Sequence, residues 1–259
     1  MIGIIGGSGL YDIEGVITKQ TRKISTPFGD PSGPYIIGEL SGVDVAFLAR
    51  HGAGHQIPPH RINYRANIWG FKLLGAKRIV SVGATGGISK GMVPGTIAIP
   101  DQIIDMTRQR EVTFYGGEEV VHVDFTEPYC PEMRDSLLKA GDMAGIDLRK
   151  SATYVCTEGP RLETKAEIEF FSRINGDVVG MTFMPEASLA REAELCYGGI
   201  VVVTNYAAGI EGKGLTATEV LDVMSKAMSV LGRLLKGALS LIPAEGSCGC
   251  RNALGEARI

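Results

Sequence analysis

Short apolar runs rich in β-branched residues recur along the whole chain, at residues 2–5, 43–48, 78–82, 96–99, 152–155, 177–180 and 200–204. Most are continuous rather than alternating, the pattern of strands covered on both faces. Between them lie segments with helical spacing, at 63–74, 131–144, 164–174, 184–195 and 216–242. The last opens on a capping-box pattern, Thr216-Ala217-Thr218-Glu219. Val220, Val223, Met224, Ala227, Leu231, Leu234, Leu235 and Ala238 then fall on one of its faces. This alternation predicts an α/β fold with one domain over residues 1–243, its mixed, largely parallel central sheet flanked by helices. Residues 244–259, rich in glycine and charge, predict a loosely attached tail.

Charge and cysteine usage narrow the functional classes. Lys and Arg number 26 against 29 Asp and Glu, a net charge of −3 with no basic run, which gives no footprint for nucleic acid or an anionic membrane. The first residues, Met1-Ile2-Gly3-Ile4-Ile5-Gly6-Gly7, lack the basic region of a signal peptide. No stretch approaches the roughly 20 apolar residues that span a bilayer. The five cysteines, Cys130, Cys156, Cys196, Cys248 and Cys250, are irregularly spaced and odd in number. They form no disulfide framework and predict a reducing cytoplasm, with Cys130, Cys156 and Cys196 as packing residues. Cys248-Gly249-Cys250 offers a single pair, weak as a metal site, and receives no function.

Ligands of open α/β sheets lie beyond the carboxyl ends of the strands, so the loops that follow the runs are the places to search. The 35 glycines, about twice the usual share of roughly 7%, concentrate attention there. Gly6-Gly7-Ser8-Gly9 offers backbone N–H groups and a hydroxyl to an anion, or forms a plain strand-exit turn. It lacks the lysine of a P-loop and the third glycine of a dinucleotide fingerprint. Arg50-His51 strengthens the anion reading, since the guanidinium fork suits phosphate; a salt bridge is the plainer role for Arg50. The other histidines, His55, His60 and His122, show no metal-ligand spacing, and no nucleophile elbow is present, so neither metal nor covalent catalysis is expected.

Taken together, IGIIGGSGLYD, FLARHG, PPHRINYRANIWGFK, EPYCPEMR, CTEGPRLET and VVGMTFMPEASLAREAELCY resemble, in that order, the trimeric purine nucleoside phosphorylase family. The likeness is to its methylthioadenosine phosphorylase branch and covers nearly the whole chain. It implies phosphorolysis of a purine nucleoside to free base and ribose 1-phosphate, with phosphate as co-substrate and neither cofactor nor metal. It also implies a homotrimer or a dimer of trimers. Phosphate would be held by Ser8, Arg50, His51 and Thr182, with backbone at Gly83 and Ala84. Met181 would pack against the ribose. His122 would reach the neighbouring subunit's sugar pocket, or simply sit on the surface.

Within that branch the chain departs at the base. Adenine-cleaving relatives carry an Asp-Tyr-Asp pattern where this sequence reads Asn205-Tyr206-Ala207, and a small polar residue where it has Glu163. Glu163 and Asn205 resemble the inosine- and guanosine-cleaving branch instead. A 6-oxopurine carries an N–H that a carboxylate at Glu163 accepts, and Asn205 can donate to the imidazole ring. Glu163, Asn205 and His51 are therefore the expected catalytic residues, with Tyr206 and Ala207 beside the base. The stretch Gly214-Leu215-Thr216-Ala217 has no histidine for a 5′-hydroxyl, which favours a 5′-methylthio group. An adenine-specific phosphorylase and a non-catalytic purine-binding protein are the competing readings.

Overall fold

The computed structural model describes residues 1–7, 13–117, 119–211 and 217–258. The first apolar run forms β1 (Ile2–Gly6), buried throughout. The polar β2 (Val16–Arg22) pairs antiparallel with β3 (Tyr35–Leu40), which pairs antiparallel with β4 (Val43–Ala49). β1 lies between β4 and the long β5 (Arg78–Gly87), parallel to both. Short strands follow: β6 (Ile97–Ala98), β7 (Gln102–Met106), β8 (Leu148–Arg149), β9 (Thr153–Thr157) and β10 (Val178–Gly180). Parallel pairing joins β7 to β9 and β9 to β10, whereas β10 meets β5 antiparallel. The last strand, β11 (Cys196–Tyr206), runs parallel along β5 and pairs antiparallel with β6. The sheet is thus mixed, as expected, and it forks at β5.

Helices cover both faces. α1 (Tyr64–Leu73) starts where the Asn63 side chain accepts from the Ala66 N–H at 3.1 Å. α2 (Pro131–Met143) has proline in its first turn, where the missing N–H costs nothing. α3 (Lys165–Arg173) opens on a reciprocal capping box between Thr164 and Glu167. α4 (Phe183–Glu192) and α5 (Ala217–Leu241) complete the set. Alternate strand residues serve the two layers. Ile4, Val80, Val82, Ile200 and Val202 pack with α2 and α5 through Leu137, Leu231 and Leu235. Ile5, Ile79, Val201 and Val203 pack with α1 and α4 through Ile68, Phe183 and Leu189.

Two expectations change. β5 continues five residues beyond the run that announced it, because β11 pairs with it as far as Gly87; the glycines there read as a turn but lie in strand. The tail is not loose. Glu132 Oε1 accepts from the backbone N–H groups of Ser247 and Cys248 at 2.6 and 2.9 Å, and Arg78 Nη1 donates to the Ala244 carbonyl at 3.1 Å. Cys250 is 2% exposed. The tail's glycine and charge are spent on specific partners in the body of the domain.

Candidate active site

The fork of the sheet makes an opening. β1 pairs with β5 only from Arg78 to Ser81, and β10 pairs with it only at Gly86 and Gly87. Val82 to Thr85 therefore lack a neighbouring strand on that edge. Ala84 is the one exposed residue of β5. Arg50 Nη1 donates to the Val82 carbonyl across this edge at 3.0 Å. Backbone direction alternates along a strand, so the Ala84 N–H faces the same side. Thr182 borders it: a Cβ on Gly83 would stand 3.7 Å from Thr182 Oγ1 and 3.0 Å from Phe183 Cε1. The Thr182 N–H donates to the Tyr154 hydroxyl at 3.2 Å, which fixes the residue at this edge.

Arg50 is placed differently from its expected role. Its guanidinium is 2% exposed and grips Glu186, with Nε to Oε1 at 2.5 Å and Nη2 to Oε2 at 3.2 Å. Nη2 also meets Ser81 Oγ at 2.6 Å. The fork expected to hold phosphate is closed by a carboxylate, and the plainer salt-bridge reading holds for that face of the side chain. Burial alone would lower the guanidinium's pKa; the Glu186 carboxylate outweighs it and raises it. His51 is buried, and its Nδ1 lies 2.8 Å from the Ile57 carbonyl. Burial and the Arg50 charge lower its pKa to about 4. Near neutral pH it is an uncharged imidazole with the proton on Nδ1 and a free lone pair on Nε2.

The base end is built from β9, β10 and β11. Thr157 Oγ1 donates to Glu163 Oε1 at 2.6 Å and lies 3.4 Å from the Gly180 carbonyl, one residue before Met181. Met181 Sδ sits 2.7 Å from where a Cβ on Gly159 would be, a position that glycine alone leaves open. A β-bulge between Val203 and Asn205 re-aims the end of β11. The Asn205 amide is then fixed on both sides: Thr204 Oγ1 donates to Oδ1 at 2.8 Å, and Nδ2 donates to the Tyr206 carbonyl at 2.9 Å. One Nδ2 hydrogen remains for a ligand. Nδ2 lies 3.3 Å from the Cβ position of Gly86, and the Ala207 N–H is held by Gly87 at 2.8 Å.

Arg50, Gly83, Ala84 and Thr182 thus gather at the open edge of β5, while Glu163 stands against the end of β9, Met181 follows β10, and Asn205, Tyr206 and Ala207 close β11. His122 stands apart; it is exposed, and its N–H donates to the Ala257 carbonyl at 2.8 Å. Ser8 and residues 214–216 lie outside the described residues. The sequence reading missed Glu186, Ser81 and Thr157. It also missed Arg110, which donates to the carbonyls of Thr157 at 3.1 Å, Glu158 at 2.8 Å and Met184. Glu186 had one signal, a carboxylate inside the apolar MPEASLA; Arg110 had none, because its partners lie 47 to 74 residues away.

The unpaired edge of β5 beside Thr182, with the fixed Glu163 and Asn205 side chains, is the candidate site. Comparison with known proteins is specific. Residues 1–240 match the Phosphorylase superfamily, and the chain belongs to that family. It is 51% identical over 254 residues to a probable S-methyl-5′-thioinosine phosphorylase of Thermodesulfovibrio yellowstonii, covering 98% of this chain and 95% of the relative. It is 50% identical to the 6-oxopurine nucleoside phosphorylase of Pyrococcus furiosus, covering 98% and 97%. A crystal structure of a methylthioadenosine phosphorylase from an antarctic soil metagenomic library superposes with a TM-score of 0.93 at 42% identity, covering 100% of this chain and 92% of that one.

Proposed function

We propose that this protein cleaves the N-glycosidic bond of 6-oxopurine nucleosides, 5′-methylthioinosine, inosine and guanosine among them, with inorganic phosphate. The products are the free purine and the corresponding ribose 1-phosphate. The observations that carry the reading are two fixed polar groups, the Glu163 carboxylate held by the Thr157 hydroxyl at 2.6 Å and the Asn205 amide oriented by Thr204 at 2.8 Å. A carboxylate accepts the ring N–H of a 6-oxopurine; adenine presents a bare lone pair there. Asn205 donates to the imidazole nitrogen of the leaving base as negative charge collects on it. Such charge-assisted hydrogen bonds contribute about 1.5–3 kcal/mol.

Phosphate beneath the anomeric carbon stabilises the positive charge on the sugar and attacks the same carbon. Thr182 Oγ, the Ala84 N–H and Ser8 hold it in line, which converts an encounter into an effectively unimolecular step. Arg50 contributes a charge whose field is largely balanced by Glu186. No cofactor or metal enters this chemistry, because phosphate is itself the nucleophile. Met181 lines the ribose, and Tyr206 and Ala207 flank the base. The assembly we propose is a cytoplasmic homotrimer or dimer of trimers, in which the exposed His122 completes a neighbour's sugar site.

The solved relative named for methylthioadenosine favours a second reading, an adenine-specific enzyme. One experiment separates the two. We expect kcat/KM for methylthioinosine to exceed that for methylthioadenosine by at least about 10², given the 10⁴–10⁵ that a polar mismatch can reach. Cleavage should be undetectable without phosphate. A ratio near one overturns the 6-oxopurine assignment, and binding without phosphorolysis overturns the enzymatic one.

A further inference from the structure

The sequence scatters four cysteines over the chain, and the fold collects them. Cys130 precedes α2, Cys196 opens β11, and Cys248 and Cys250 lie in the tail. Their four sulfurs all lie within 4.8 Å of one another, and Cys196 Sγ is 3.4 Å from Cys248 Sγ. All four are free thiols; three are buried and Cys248 is half-buried. From this geometry we propose that the four cysteines bind one zinc ion as a closed tetrathiolate site that fastens the tail to the domain.

Zinc–sulfur bonds of about 2.3 Å in a tetrahedron place the sulfurs about 3.8 Å apart, between the 3.4 Å of Cys196 and Cys248 and the 4.8 Å upper bound. The frame behind them is fixed. The Cys130 N–H donates to the Tyr197 carbonyl at 2.8 Å, the Cys196 N–H to the Lys77 carbonyl at 3.1 Å, and the Cys248 N–H to Glu132 Oε1 at 2.9 Å. Binding replaces four S–H bonds by four Zn–S bonds and releases four protons, leaving a net charge of −2 on the centre. The surroundings answer that charge. Arg251, next in sequence to Cys250, keeps a cation beside the cluster. Arg251 Nε is buried without a hydrogen-bond partner, an N–H of the kind that outer-sphere donors supply to thiolates.

The site has no open position for substrate, so its role is structural. It also lies far from the chemistry: Cys196 and Asn205 sit near opposite ends of β11, roughly 30 Å apart at about 3.3 Å per residue. The proposal gives a joint role to the tail pair, to which the sequence assigned none, and to Cys130 and Cys196, read there as packing residues. Spacing alone could not show it, because two of the ligands come from the body of the domain.

The test is metal analysis of the full chain purified with a phosphine reductant and no chelator, beside a Cys248→Ser/Cys250→Ser variant. We expect one zinc per chain in the parent and the level of a buffer blank in the variant. Cobalt loading should give the visible bands of tetrahedral cobalt thiolate in the parent only. Chelation should lower Tm of the parent, zinc should restore it, and kcat at room temperature should not change. Equal zinc in parent and variant overturns the proposal. So does a parent that stays zinc-free when zinc is supplied, whether its intact mass shows four thiols or is four hydrogens lower from two disulfides.

Discussion

Arg50 and Glu186 are joined at 2.5 Å with 2% and 0% of their side chains exposed, at the floor of the opening where phosphate is proposed to bind. Ser81 and Tyr197 hydroxyls complete the carboxylate at 2.8 and 2.9 Å. The charge beneath the site is thus paired before any ligand arrives, and Arg50 holds β5 through the Val82 carbonyl as well.

Removing one partner strands the other. Arg50→Met should destabilise the fold by about 3–5 kcal/mol, because Glu186 is left buried and unpaired. Arg50→Met with Glu186→Leu should recover most of that loss. Urea denaturation midpoints check both, and a single variant as stable as the parent would refute a buried, mutually dependent pair.

Base recognition should follow Glu163 and the hydroxyl that steadies it. Glu163→Gln removes a charge-assisted acceptor worth about 1.5–3 kcal/mol and should cut kcat/KM for methylthioinosine about 10- to 100-fold. Thr157→Val should cost about 1 kcal/mol through the lost hydrogen bond alone. Measured against methylthioadenosine, the preference should narrow in both variants.

Acid should weaken the fold through His51. Its folded pKa of about 4 lies below the ordinary 6.5, so the unfolded chain binds the proton more readily. The stability is complete above pH 6.5 and is lost as the pH falls towards 4, to a total of about 3 kcal/mol at about 1.4 kcal/mol per pH unit. Denaturation midpoints across that window should slope downward in the parent and less steeply in His51→Gln.

Gly159 stands at φ 67° with Met181 Sδ against its open side. Gly159→Ala should cost about 1–2 kcal/mol from the left-handed backbone alone. It should also push Met181 off its place and raise KM for the nucleoside. Thermal melts and initial rates read the two effects separately.

Local composition announced the buried strands and the helices well, since β1, β4 and β11 are apolar runs and α1 to α4 fall on segments with helical spacing. It did not announce β2, whose VITKQTR is almost wholly exposed and has no core face to show. The glycines of 83–87 concealed strand for the opposite reason. At Gly87 the Met92 carbonyl occupies the space a side chain would need, so glycine here serves close packing rather than a turn. At the site, Glu163 and Asn205 were singled out by resemblance to the inosine- and guanosine-cleaving branch, in the loops that follow the runs at 152–155 and 200–204. The Arg50 partner was not, being 136 residues distant, and the cysteine cluster was hidden in the same way.

The interval between β1 and β10 has a thermodynamic meaning. Four residues of the central strand, Val82 to Thr85, are left with one flank unladdered in the middle of the domain. An anion that accepts from the Ala84 N–H there does for this flank what another strand would have done. The co-substrate is then also a component of the sheet, and occupancy and folding are linked: the more phosphate in solution, the higher the melting temperature, by mass action on the native state alone.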